Sequence, residues 1–463
     1  MRYISTRGGA APKSFEDVLL AGLAEDGGLY VPDVWPQVSA AEIADFAHQP
    51  YAEVAARILQ AFAGETFSAD EALQACTQAY GSFDAAAVAP LVQLGPNRWL
   101  LELYRGPTLA FKDVAMQLLA QLYERILERR DETLTIVAAT SGDTGGAAVE
   151  AFRGLKRVKI VILFPNGRIS PVQRRFMTTP TEANVACLSV DGDFDDCQAL
   201  VKGLFRDDGF RADVGLSGVN SINWARIAAQ SVYYFTSAAA LGAPERRVSF
   251  VVPTGNFGDA FAGYVAKRMG LPIDHIRAAT NSNDILARAF SGGAYARGRA
   301  VATLSPAMDI QAASNFERLV FEASGRDASA TRQAFDSFQA SGGFELTATM
   351  RASFAQLFSG AAVSESETAA QILRTYEETG LLVDPHTAVG LAAAAGLDAD
   401  TAPVVTLATA HPAKFPEALA EILPSVPAVH PKAEALAGLA ERMTEIAADM
   451  EAVKAYIRQF AAA

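Results

Sequence analysis

Lys112 lies within Gly106-Pro107-Thr108-Leu109-Ala110-Phe111-Lys112-Asp113, where a Gly-Pro turn delivers an amine into an apolar pair at the start of a long helical run. A lysine in water titrates near 10.4 and is a poor nucleophile at neutral pH, whereas burial against Ala110 and Phe111 disfavours the ammonium form. Such an amine forms Schiff bases with aldehydes. The plain alternative is a lysine that snorkels to solvent from the first turn of a helix over residues 111–129.

Three further segments follow short apolar runs. After residues 133–139 comes Thr140-Ser141-Gly142-Asp143-Thr144-Gly145-Gly146, which opens a helix. Backbone N–H groups at a helix start, with hydroxyls beside them, suit a carboxylate or a phosphate. The loop is not a nucleophile elbow, because Ala139 stands where the first glycine of that motif belongs. After residues 248–252 comes Pro253-Thr254-Gly255-Asn256-Phe257-Gly258-Asp259. Here Gly255 and Gly258 permit the positive dihedrals and close approach of a phosphate nest. The pattern is neither GxGxxG nor GxxxxGK, so it argues against a dinucleotide or P-loop nucleotide and for a cofactor with one phosphate. After residues 404–408 comes Thr409-Ala410-His411-Pro412-Ala413-Lys414-Phe415. A hydroxyl at that strand end either faces a ring nitrogen or caps the helix starting near Pro412.

Apolar runs at 133–139, 159–164, 184–190, 248–252, 276–280 and 404–408 predict buried parallel strands, alternating with helices at 145–152, 224–241 and 259–269. Two open, mostly parallel α/β domains follow, with ligands at the carboxyl ends of the strands. Helical periodicity at 15–23, 40–46, 51–62 and 70–80 predicts a helical N-terminal domain over 1–93. Residues 88–103 read as a hairpin around Pro96-Asn97 that feeds the Lys112 turn. The α/β domains are expected over 94–236 and 237–463, the latter with a polar helical insertion at 322–378 and a charged helix pair at 431–460; one sheet inserted in the other is an open alternative.

A chain of 463 residues is long enough for two or three domains, and its 50% hydrophobic and 20% charged composition is that of a globular enzyme. The net charge of −13, with no basic stripe, argues against nucleic acid or anionic membrane as partner. Cys76, Cys187 and Cys197 are scattered and read as buried thiols of a reducing compartment. No signal-peptide core or membrane span is apparent, so a cytoplasmic protein is expected.

Together the segments around Lys112, Ser141, Gly255 and Thr409 resemble the signature set of the threonine synthase family, pyridoxal-phosphate enzymes of the tryptophan-synthase-β fold type (fold type II). The resemblance covers most of the chain. It begins at Ser5-Thr6-Arg7-Gly8-Gly9 and Glu25-Asp26-Gly27-Gly28-Leu29-Tyr30-Val31-Pro32, and includes Asn220-Ser221-Ile222-Asn223-Trp224-Ala225-Arg226 and Asp384-Pro385-His386-Thr387-Ala388. It implies that Lys112 holds pyridoxal 5'-phosphate as a Schiff base, that Gly255, Asn256, Phe257, Gly258 and Asp259 bind its phosphate, and that Thr409 faces its pyridine nitrogen. A neutral hydroxyl there leaves that nitrogen largely unprotonated and weakens the electron sink. Ser141, Gly142, Asp143 and Thr144 would receive the substrate carboxylate, although related fold members often carry asparagine at the position of Asp143.

The implied substrate is O-phospho-L-homoserine, with Arg168, Asn220 and Arg226 as contacts for its phosphate and Lys414 as a weaker candidate. The implied reaction has Lys112 remove the α and then the β proton, phosphate leave from the γ carbon and water add at the β carbon, giving threonine. The expected partners are this small molecule alone, without nucleic acid or membrane, in a monomer or homodimer. Asp191, Asp193 and Asp195 imitate a calcium loop, but Asp196 and Lys202 stand where glycine and glutamate are needed, so helix capping is the better reading. No HExxH or Cys/His cluster gives a metal site. His386 and His411 default to structural roles, and Tyr233-Tyr234-Phe235 to packing. Two rivals remain: a dehydratase of the same fold, with no need of Arg226 and Asn220 around a phosphate, and a sensor that binds without turnover.

Overall fold

The computed structural model describes residues 1–463 and is dominated by two open sheets. The larger has six strands in the order Phe358–Ala362, Ile273–Thr280, Val248–Pro253, Val404–Ala408, Arg98–Glu102 and Leu91–Gly95. Neighbours run parallel except for the final pair, the hairpin around Pro96-Asn97. The second sheet has five strands, all parallel, in the order Thr444–Ala447, Val185–Asp191, Val158–Pro165, Leu134–Ala139 and Leu216–Ser217. Val248–Pro253 and Val404–Ala408 are buried at every residue, as apolar runs covered on both faces require.

The sheets do not follow cuts at residues 93 and 236. The hairpin strand Arg98–Glu102 pairs with Val404–Ala408, so the beginning of the 94–236 segment belongs to the six-stranded sheet. Conversely, Thr444–Ala447 pairs with Val185–Asp191, returning the end of the chain to the five-stranded sheet. One sheet is thus inserted in the other. The C-terminal region holds the two expected helices, a four-residue one at Pro431–Glu434 and Met450–Ala462, but with that edge strand between them. Within 322–378, helices Ala328–Ser341, Ala348–Ala355 and Glu365–Thr379 surround the edge strand Phe358–Ala362, which the polar composition conceals.

The N-terminal region carries helices Phe15–Ala21, Ala40–Asp45, Tyr51–Ala63 and Ala69–Tyr80. Ser39 and Ser68 start two of them through capping boxes with Glu42 and Glu71. A three-stranded antiparallel sheet, Lys13–Ser14, Arg2–Ser5 and Tyr30–Pro32, adds to the helices; its strands are too short to show a period of two. This region shares its core with the rest of the chain. Trp224, at 0% exposure, packs against Tyr3, Trp35 and Phe62 with ring centroids 5.8, 6.0 and 5.5 Å away. Arg7 makes a buried, two-pronged ion pair with Glu317 (3.0 and 2.8 Å), and Thr6 donates to the same carboxylate at 2.6 Å.

No helix is long and apolar enough to cross a membrane. The three cysteines are unpaired and buried, and burial pushes each thiol up to about 12, which leaves them inert.

Candidate active site

The loops that leave the carboxyl ends of Arg98–Glu102, Leu134–Ala139, Val248–Pro253 and Val404–Ala408 are the four read as chemical in the sequence, which is where an open α/β sheet places its ligands. Two of them are joined directly. The Phe111 N–H donates to the Thr409 carbonyl (2.8 Å), His411 N–H to Leu109 O (3.0 Å) and Leu103 N–H to Ala408 O (3.0 Å), with Ala110 and Ala410 bridged between them. Lys112 opens the helix Lys112–Arg130 and Asp113 turns back onto the loop, accepting from Thr108 N–H (2.8 Å) and Thr108 Oγ1 (2.6 Å). The amine is therefore carried by a loop pinned at both ends.

Lys112 is 9% exposed, its Nζ 4.8 Å from the Phe111 ring centre. Burial lowers its affinity for a proton; Asp143, whose Oδ2 is 3.6 Å away, opposes this, and Lys414 and Arg226 reinforce it. Asp143 belongs to the other sheet, in the first turn of Asp143–Phe152, and its Oδ1 takes Lys414 Nζ at 2.9 Å and Gln173 Nε2 at 2.8 Å. Burial alone would raise this carboxyl; Lys414, Lys112 and the Gln173 hydrogen bond prevail and hold it well below the usual carboxylate range. Its side chain is thus committed within the protein, while the N–H groups of Ser141, Asp143 and Thr144 find no acceptor in the chain and form an anion-receiving arc. Gly142 makes the arc possible. Its φ of 140° lies outside what a side chain tolerates, and a Cβ there would sit 2.6 Å from the Gln173 carboxamide carbon.

The second arc is Gly255–Asp259. The N–H groups of Gly255, Asn256, Gly258 and Asp259 have no acceptor, and the helix Gly258–Arg268 begins among them. Neither glycine has a positive φ; the left-handed residue is Phe257, at φ 61° and ψ 11°. Its N–H is held by Thr254 Oγ1 at 3.1 Å, and its ring is clamped by Phe290, Phe316 and Phe358. Gly255 matters instead for space, since a Cβ there would meet Ala307 O and Ile310 Cδ1, each at 2.9 Å. Asp259 offers only its N–H: its side chain turns into the helix interface, where Tyr233 and Tyr234 donate to Oδ1, and Oδ2 has no partner.

Burial pushes the Asp259 carboxyl up to about 6 despite both tyrosines. Folding therefore favours its protonated form, a contribution complete below about pH 4 and lost as pH rises through about 6. Relative to Asp259→Asn, the parent is expected to lose about 3 kcal/mol of stability between pH 4 and 7. Thermal melts of the two proteins across that range check this, and parallel curves would refute it.

Arg226 is 3% exposed in the helix Trp224–Ala240; Nη1 donates to Val219 O (3.1 Å), Nε has no partner, and burial lowers the guanidinium to about 10. Asn315 ties its segment to the Gly255 arc, donating to Ser221 O and Asn256 O at 3.1 Å each. Asn220 is half-buried with a free carboxamide, and its carbonyl accepts from Asn223 N–H at 3.0 Å. Arg168 is exposed, on the turn that follows Val158–Pro165, and its guanidinium makes no ion pair or hydrogen bond within the chain. Thr409 is buried and its hydroxyl is unengaged, while His411 supplies the cap, accepting from Ala413 N–H at 3.1 Å. Burial, reinforced by His430, lowers His411 to about 4. His386 donates from Nδ1 to Asp384 (2.7 Å) and accepts Ala307 N–H at Nε2 (3.2 Å), as a structural histidine does.

Lys414 and Gln173 are the residues that sequence reasoning undervalued. Gln173 stands three residues after the N-cap Ser170, where a glutamine reads as half of a capping box. Lys414 stands three residues before Glu417, a local partner that would account for it, yet it pairs with the distant Asp143, an acid in a glycine-rich turn.

The arrangement fits pyridoxal phosphate. It offers the buried amine of Lys112, a cradle of free N–H groups at Gly255–Asp259 with no room for a Cβ at Gly255, and an unengaged hydroxyl on the strand end tied to the lysine loop. The family described as "Threonine synthase N terminus" matches residues 2–80, "Pyridoxal-phosphate dependent enzyme" residues 85–410 and "Threonine synthase, C-terminal" residues 387–457. The chain is 47% identical to the threonine synthase of Pseudomonas aeruginosa over 99% of its own length and 98% of the relative's. It is 42% identical to that of Saccharomyces cerevisiae over 90% and 88%. A crystal structure of threonine synthase from Brucella melitensis with bound PLP superposes with a TM-score of 0.97, at 51% identity and full coverage of both chains. The match from end to end, over a chain that holds a buried lysine and two arcs of free N–H groups, places it in the threonine synthase family.

Proposed function

We propose that this protein converts O-phospho-L-homoserine and water to L-threonine and phosphate, using pyridoxal phosphate held by Lys112. The observation that carries the reading is a buried Lys112 with Asp143 of the first N–H arc 3.6 Å away, a second arc at the end of the strand beside the one tied to the lysine loop, and a buried arginine with an unpartnered Nε. One arc suits the cofactor phosphate and the other the substrate carboxylate, and Arg226 remains for a second phosphate. A dehydratase acting on an unphosphorylated amino acid has no use for that third anion site.

When bound, pyridoxal phosphate supplies the conjugated system that accepts electrons from the substrate's α carbon. The chain supplies the rest. Gly255, Asn256, Gly258 and Asp259 bind one phosphate through backbone N–H groups, and Phe257 shapes that cradle. Thr409 would offer its neutral hydroxyl to the ring nitrogen. Ser141, Asp143 and Thr144 orient the substrate carboxylate through their N–H groups. Lys112, which would hold the cofactor, would also take the α and then the β proton at Nζ, a task suited to an amine whose proton affinity burial has lowered. Arg226, with Asn220, holds the γ-phosphate and stabilises it as it leaves.

The test is to supply the purified protein, loaded with pyridoxal phosphate, with O-phospho-L-homoserine and to assay threonine and phosphate together. Equimolar release is expected. Release of 2-oxobutanoate in place of threonine would select the dehydratase, and binding without turnover the sensor.

A further inference from the structure

Asp143 is an anion beside an amine that has to work unprotonated, and alone it would hold Lys112 as an ammonium ion. Lys414 takes up that charge. It is 0% exposed, its Nζ is 2.9 Å from Asp143 Oδ1 against 3.6 Å from Lys112 Nζ to Oδ2, and its second bond runs to Thr108 O at 2.7 Å, within the loop that carries Lys112. The backbone aims it there: His411 caps the turn Pro412–Lys414, Ser170 Oγ holds the Lys414 carbonyl at 3.2 Å, and the ammonium lies 5.0 Å from the Phe176 ring centre. Gln173 fixes the same Asp143 oxygen from a third element, the helix Pro171–Thr178. The other charged or titratable groups facing the trio are Arg226 toward Lys112, His386 toward Asp143, and Asp113, which Thr108 links to Lys414.

We propose that Lys414 is a positioning residue of the reaction: by pairing with Asp143 across the two sheets it neutralises the carboxylate and leaves Lys112 as a free amine. Asp143 and Lys414 then act as one neutral unit, of use only together. The inference rests on Lys112 being the cofactor lysine.

The test compares Lys414→Met, Asp143→Asn and the double variant with the parent. One readout is the pH midpoint at which the full-length chain, stripped of cofactor, captures added pyridoxal phosphate, followed by visible absorbance. The other is the acid limb of kcat/KM in the loaded enzyme. Removing Lys414 leaves Asp143 with Lys112 as its sole lysine partner, so both midpoints are expected to rise by ~1 pH unit or more. Removing the carboxylate leaves Lys112 facing Lys414 and Arg226, so both are expected to fall by a similar amount. The double variant should return to within about half a unit of the parent. Unmoved midpoints, single variants shifting the same way, or a double variant that stays displaced would overturn the proposal. A packing role alone would lower Tm and turnover and leave the midpoints in place. Should Lys414→Met fail to fold, Lys414→Gln, which keeps a donor for Thr108 O, carries the same expectation, and Asp143→Asn tests the opposite sign independently. If the parent itself captures no pyridoxal phosphate, the reading of Lys112 fails; if it does and the variants do not shift, only the role of Lys414 fails.

Discussion

Lys112→Ala is expected to abolish turnover, with kcat/KM down by at least ~10⁴, while the protein folds and melts within about 1 kcal/mol of the parent. The side chain stands at the first position of a helix whose preceding loop is held by backbone bonds from Leu109 and Phe111 to His411 and Thr409 and by Asp113, none of which involves the Lys112 amine. What is lost is the covalent attachment and the base together, which is why the effect exceeds that of any single hydrogen-bonding residue in the site. The visible absorbance of the attached cofactor should vanish, with loosely held pyridoxal phosphate still retained by the Gly255 arc. An alanine variant that kept even a hundredth of parental turnover would remove Lys112 from the chemistry.

Arg226→Met should separate function from stability. Arg226 is buried without a carboxylate partner, only its Nη1 is hydrogen-bonded, and its guanidinium is lowered to about 10, a cost of about 3 kcal/mol for carrying the charge in the folded protein. Methionine keeps most of the volume and removes the charge. The variant is expected to melt higher than the parent and to show KM for O-phospho-L-homoserine raised by about 10²–10³. Thermal melts and initial rates check the two halves separately. A variant that is less stable and unchanged in KM would make Arg226 a structural residue.

Much of this site was legible because its chemistry is local in sequence. The lysine turn, the Ser141–Thr144 arc and the Gly255–Asp259 arc are each a strand end followed by a helix start, and the apolar runs that predict the strands also fix where the arcs stand. Charge compensation was not legible. Asp143 and Lys414 come from different sheets, and nothing in either neighbourhood names the other. The edge strands Phe358–Ala362 and Thr444–Ala447 escaped because each has a single partner and a half-exposed, small or charged composition that lacks the apolar run of a central strand. The left-handed Phe257 escaped because two neighbouring glycines offer an easier home for a positive φ, and only the surrounding aromatic rings decide otherwise.

The ladder between Leu103–Phe111 and Ala408–His411 bears on how this enzyme can be recombined with its relatives. The two segments lie near opposite ends of the reading frame yet share one hydrogen-bonded seam, and Lys414 reaches back across it to Thr108. A chimera with a single crossover between them takes its lysine from one parent and the strand end it is sewn to from the other, so the seam has to be tolerant of both. Exchanging the two segments together is the conservative graft: they behave as a single heritable part that happens to be written in two places.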